Sequence, residues 1–180
     1  MDFPLLGELE YDEGHEAWVS DALPLPLCQG SECSLVLMEY EDDAQPADFH
    51  VAVANLLAAP FAVLQAVEAD IYRYYQDIHS YWEPGEEGYL AIASPADVWQ
   101  HITFGYEPVV ERRHDGDQAV YVSLTCNCDW DREHGLQIVL RNGEQVVKIG
   151  PYDGHLTHGD AYDDPTLEAV IYPGRAASNA

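Results

Sequence analysis

Positive charge is nearly missing from this chain: its 180 residues hold 7 Lys plus Arg against 33 Asp plus Glu, a formal net charge of −26. Lys148 is the single lysine, and no Lys or Arg precedes Arg73. Such a surface repels DNA and RNA, whose non-specific binding depends on cations that neutralise phosphates, so a nucleic-acid partner is not expected. Long apolar runs are missing as well. The nearest, VAVANLLAAPFAVLQAV over residues 51–67, is divided by Pro60 and interrupted by Asn55 and Gln65, so it reads as a packed helical pair and not as a membrane span. The opening MDFPLLGE has no basic region followed by an apolar core, so no export signal and a cytoplasmic location are expected. Cysteine is sparse. In a reducing compartment Cys28, Cys33, Cys126 and Cys128 are expected as packed or coordinating thiols and not as a disulfide framework.

What is present argues for a folded chain. An apolar fraction of 47% with 4 Trp and 12 Tyr is too rich for disorder. A chain of this length can cover about 70% of its unfolded surface on folding, so one domain over 1–180 is expected. The acidic residues are dense before Arg73, where Glu39, Glu41, Asp42 and Asp43 stand almost in a row. Such a surface attracts a basic protein and speeds its approach at low salt. The plainer readings are solubility or adaptation to a high-salt interior.

Hydrophobic spacing gives the order of elements. Residues 1–45 read as N-terminal strands, with GELEY, AWVS, LPLPL and CSLVLMEY punctuated by Gly, Pro and Asp. Leu35, Leu37 and Val36 suggest a strand covered on both faces. Residues 46–83 read as helices: one with Pro46 in its first turn, running to about 59, and a second after Pro60. In the second, Phe61, Leu64, Ile71, Tyr75, Ile78 and Trp82 recur at helical spacing up to Pro84-Gly85. Its tyrosines are expected in the core. Over 89–172 the spacing predicts a brief strand YLAIAS at 89–94, a short helix capped by Ser94, and a meander of antiparallel hairpins turning at His114-Asp115-Gly116-Asp117 and at Asn142-Gly143. The tail RAASNA, 175–180, reads as a frayed end. The fold class expected is therefore α+β: antiparallel sheets with a helical pair between an N-terminal sheet and a C-terminal meander.

Chemistry concentrates in TCNCDWDREHG, 125–135, and DGHLTHGDAY, 153–162, which the meander would bring to one end of the sheet. Cys126, Cys128, His134, His155 and His158 offer thiolate and imidazole ligands of the kind zinc prefers, although Cys-x-Cys is tighter than the usual zinc turn. Asp129, Asp131, Glu133 and Asp153 are hard oxygen donors suited to calcium, without the pattern of the twelve-residue loop. Cys126 or Cys128 as nucleophile, His134 or His155 as base, and Asp131 or Glu133 as orienting group would make a hydrolase. The structural reading has Trp130 packing, Asp129 and Asp131 binding turn amides, and Gly135 supplying an unusual backbone angle. It needs no cofactor and no catalytic residue.

The run Cys128-Asp129-Trp130-Asp131-Arg132-Glu133-His134-Gly135-Leu136, continued by Gly150-Pro151-Tyr152-Asp153-Gly154-His155-Leu156-Thr157, resembles a widespread family of uncharacterised bacterial domains with a Cys-Asp-Trp-acidic-x-Glu-His-Gly-Leu signature. The likeness is specific over 120–162 and looser elsewhere. Some members of that family resemble immunity proteins, which neutralise toxins used between competing bacteria. The pattern often has Asn where this chain has His158, and it assigns no catalytic residue to carry over. Charge and resemblance together lead to an acidic cytoplasmic binding protein of the immunity type, which meets a basic partner such as a toxin through Glu39, Glu41, Asp42 and Asp43. The alternative is a metal-binding protein or metal-assisted hydrolase built on Cys126, Cys128, His134, Asp153 and His155, with zinc or calcium. A third possibility is an accessory domain that recruits a partner by strand addition.

Overall fold

The computed structural model describes residues 1–174; the frayed end expected over 175–180 lies outside them. The fold is α+β, a mostly antiparallel sheet with helices inserted between the N-terminal strands and a C-terminal strand meander. In chain order, the first strands are β1 Asp2–Phe3, β2 Gly7–Glu8, β3 Glu10–Asp12, β4 Ala17–Val19, β5 Leu23–Leu25, β6 Ser31–Cys33 and β7 Val36–Leu37. Helices α1 Pro46–Ala58, α2 Ala62–Gln65 and α3 Glu68–His79 follow. A 3₁₀ segment, Pro95–His101, then leads into β8 Ile102–Phe104, β9 Val109–Arg112, β10 Val120–Cys128, β11 Asp131–Arg141, β12 Gln145–Gly150 and α4 His158–Tyr162. The chain forms two compact units, and β10 and β11 each give residues to both.

The first unit comprises 1–63, 105–124 and 140–145. Its strands run in the order β3-β4-β7-β9, with the start of β10 along β9. Every pair is antiparallel except β7 with β9, where Val36 faces Val109. Leu35, Val36 and Leu37 are all buried, as expected for a strand covered on both faces. Pro46 starts α1 where its missing N–H costs nothing, and Phe49, Ala52, Val53 and Leu56 give it one buried face. The Asn142-Gly143 turn has φ of 51° and 70°, the left-handed pair a tight hairpin requires. A Cβ at Gly143 would collide with the Ala52 carbonyl, and Asn55 Nδ2 donates to Asn142 O at 2.9 Å. Asn55, which interrupts the longest apolar run, thus fastens this turn to α1.

The second unit comprises 64–104, 125–139 and the chain from 146. Here β8 pairs with the end of β10, while β10, β11 and β12 are successive neighbours. The sequence pattern misleads in two places. The long helix expected after Pro60 breaks between Gln65 and Glu68, at Val67, whose φ of −114° and ψ of 12° leave helical space. Glu68 and Asp70 in the next turn suit a fresh helix N-terminus, where anions are stabilised. The helix then stops at His79, short of Pro84, and Tyr81 and Trp82 are exposed and not part of the core. YLAIAS forms no strand. Its backbone is bonded by tyrosines instead: Tyr75 Oη donates to Leu90 O at 2.9 Å and accepts from Ile92 N–H at 2.9 Å, and Tyr72 Oη donates to Ile92 O at 3.1 Å.

Candidate functional site

The two segments expected to meet do so in the second unit. Tyr152 N–H donates to His134 O at 3.3 Å, which brings the start of β11 and the segment after β12 to the same end of the sheet. The turn between β10 and β11 is held from within. Asp131, with a side chain only 9% exposed, accepts from His134 N–H at 3.0 Å through Oδ1 and from the Tyr74 hydroxyl at 2.8 Å through Oδ2. The same hydroxyl reaches Gly135 O at 3.0 Å. Burial, reinforced by the Asp131 carboxylate, pushes the Tyr74 phenol far above its ordinary pKa, so it stays protonated and keeps donating. Trp130 packs edge-on against Tyr74 and Tyr75, each with centroids at 6.1 Å, and its buried Nε1 finds no acceptor. Gly135 has φ of 68°, and a Cβ there would lie 2.6 Å from Cys126 O, so both backbone angle and close approach demand glycine. Asp129 is bonded to His101 Nδ1 at 3.0 Å, while Glu133 and His134 are exposed.

Beside this turn lies the only lysine. Lys148 on β12 is 0% exposed, and its ammonium donates to Gln137 Oε1 at 2.8 Å, to His155 O at 2.8 Å and to Asp153 Oδ1. Burial lowers its pKa and Asp153 opposes that, as expected for a charge held inside by one carboxylate. Asp153 Oδ1 also accepts from His155 N–H at 2.9 Å. The Asp153 carboxylate and the His155 backbone carbonyl therefore seat Lys148, while the His155 ring stays exposed.

The alternative ligand set is not assembled. Among the described residues no three His, Cys, Asp or Glu side chains converge in a way that could hold a metal ion. Cys126 and Cys128 are buried, on the shared strand face that Cys-x-Cys requires, whereas His134 and His155 stand exposed. The Cys128 thiol bonds Asp131 O at 3.5 Å and is pushed up to about 12 by burial, which leaves it almost entirely protonated and a poor nucleophile at neutral pH.

The acidic segment lies in the first unit. Glu39, at φ 54°, pairs with His114 Nε2 at 3.0 Å, Glu41 accepts from Trp18 Nε1 at 3.2 Å, and Asp42 is exposed. Asp43 differs from the other three. Its carboxylate takes two bonds from Arg112, at 2.6 and 3.0 Å, and the guanidinium holds its pKa below the ordinary value. Tyr74, Gln137 and Lys148 were the residues sequence reading did not single out for this site. Lys148 carried a visible signal, as the only cation in an otherwise apolar strand, VVKIG. Tyr74 carried none, because its role depends on a loop 57 residues away.

A family model described as a domain of unknown function, DUF6985, matches residues 5–156. No curated protein and no solved structure matches the chain.

Proposed function

The chain belongs to the DUF6985 domain family, a grouping that carries no activity with it, and from that premise we propose that it is an acidic binding protein of the immunity type, which neutralises a basic protein such as a bacterial toxin. One observation carries the reading: of the six Lys and Arg among the described residues, five are buried or paired with carboxylates and Arg132 is exposed, so the surface is left with a large acidic surplus. Lys148 is fully buried and Arg113 is buried. Arg112 is bound to Asp43 and Asp48, Arg141 to Asp117 at 2.6 Å, and Arg73 to Asp70 at 3.1 Å. Glu39, Glu41 and Asp42 form the contact, and Asp43 holds that segment in place through Arg112. Tyr11, 52% exposed, packs against Trp18 at 5.4 Å, and Trp18 in turn touches Glu41, so the carboxylates border an aromatic surface of the kind interfaces favour.

The reading is tested by titrating the protein with a panel of cationic nuclease-toxin domains at low and at physiological salt. The expected result is tight association with one of them, slowed by added salt and by the triple reversal Glu39→Lys, Glu41→Lys, Asp42→Lys, with the loss mainly in the on-rate. Binding indifferent to both salt and the triple reversal would sink it.

A further inference from the structure

In the first unit β3, Glu10–Asp12, is the outermost strand of its sheet and pairs with β4 on one side only. The direction of its backbone groups follows from its neighbours. Val36 N–H and Met38 N–H donate to Pro108 O and Val110 O on the β9 side, which turns Leu35 and Leu37 toward β4, and Ser20 N–H donates to Leu35 O at 3.0 Å. With Trp18 opposite Leu37, the alternation of an antiparallel ladder sends the Trp18 amide and carbonyl to β7 and those of Ala17 and Val19 to β3. Glu10 opposite Val19 and Asp12 opposite Ala17 are thus the hydrogen-bonded pairs, and Tyr11 opposite Trp18 is the pair without such bonds. The two rings lie 5.4 Å apart, the close approach of side chains that this kind of pair brings. Tyr11 N–H and C=O therefore point outward. Two residues earlier the same edge is filled: Leu9 N–H donates to Met1 O at 2.6 Å, and Leu9 O accepts from the Met1 amine at 2.9 Å. Among the described residues no strand continues that cover over Tyr11.

The side chains select the occupant. Glu10 and Asp12 project on the face opposite to Tyr11, and all three are exposed. Glu8, Glu13 and Glu16 are exposed around them, and no Lys or Arg precedes Arg73 in the chain. A second copy laid antiparallel on this edge would set Glu10 against the other copy's Asp12, and like charges directly opposite destabilise a strand pair. An extended segment with Lys or Arg at the two positions facing Glu10 and Asp12 gains from both contacts. The residue between those cations faces Tyr11, where a β-branched side chain pairs well with the ring.

We propose that the outer edge of β3 is a docking site for an extended basic segment of another protein, which adds as a strand, exchanges two backbone hydrogen bonds with Tyr11 and sets cations against Glu10 and Asp12. The added strand lies in line with β1, which already runs antiparallel to β2. Strand addition here rests on the immunity-type reading for the identity of its partner, a basic protein, and supplies the way that partner docks.

The test titrates the full chain with the blocked peptide acetyl-Thr-Val-Lys-Val-Lys-Val-Thr-amide, following heat and the hydrogen exchange of the Tyr11 amide. Saturable binding is expected, with the Tyr11 amide gaining protection only when peptide is present. N-methylation of the central valine removes the N–H that donates to Tyr11 O and should weaken binding roughly tenfold. N-methylation of the lysine after it, whose N–H points away from β3, should leave affinity within about twofold. Glu10→Lys should weaken the peptide about three- to tenfold, and a peptide with Glu in place of both lysines should not bind. Equal tolerance of the two methylations, equal binding of the glutamate peptide, or a Tyr11 amide that stays unprotected overturns strand addition. Protection of Tyr11 that rises with protein concentration in the absence of peptide assigns the edge to a second copy and overturns it as well. The immunity-type reading fails separately. A cationic toxin domain that binds and leaves the Tyr11 amide unprotected upholds that reading and overturns this docking mode, whereas peptide binding as described with no toxin domain bound upholds the edge site alone.

Discussion

Asp43 shows why an acidic row cannot be treated as uniform. Its neighbours in sequence face solvent, whereas its own carboxylate, 8% exposed, holds Arg112 under the start of α1. Replacing it by Asn is expected to cost about 2 kcal/mol at pH 7, the usual size of a lost hydrogen bond between charged groups. Because its pKa is lower in the folded state than in the unfolded one, that contribution is present above the ordinary carboxylate pKa and is lost as pH falls through the folded value. Urea unfolding of the wild type and Asp43→Asn should therefore differ at pH 7 and converge below about pH 4. A gap that persists in acid would assign the effect to packing. The same contrast explains what was readable at this scale. Lys148 and Gly135 announce themselves by rarity and by backbone demand, while the side chains that hold the signature turn come from distant positions and leave no local mark.

Among the elements, the tight hairpin at Asn142-Gly143 was legible because its turn residues must adopt positive φ, a constraint written in two adjacent letters. The broken helix at Val67 was not, since helical spacing continues across the break and only the charges of Glu68 and Asp70 hint at a new beginning. The segment 89–94 was misread for a different reason. Its alternation describes a backbone that needs partners, but the partners are the hydroxyls of Tyr72 and Tyr75 on α3 and not another strand. Tyr75→Phe removes the donor to Leu90 O and the acceptor for Ile92 N–H together. Hydrogen exchange should show Ile92 losing protection in that variant while β10 and β11 amides keep theirs. If Ile92 exchange is unchanged, the hydroxyl is incidental to the ordering of this segment.

For the whole molecule, charge is the controlling variable. A net charge of −26 works against compactness through self-repulsion, and salt relieves it by shortening the Debye length from about 30 Å at 0.01 M to about 10 Å at 0.1 M. The midpoint of thermal unfolding should rise between those two salt concentrations in scanning calorimetry, whereas association with a basic protein should weaken over the same range. The opposite signs separate acidity as a recognition device from acidity as adaptation to a salty interior, for which stability alone would respond. A flat midpoint would mean that the carboxylates are spread widely enough to ignore one another. The buried lysine has a further consequence. Every other amine-bearing side chain is absent, so acylating dyes, aldehyde fixatives and lysine-modifying enzymes meet no reactive ε-amine on the folded protein until β12 opens, and labelling at Lys148, read apart from that of the Met1 α-amine, becomes a clock for that opening.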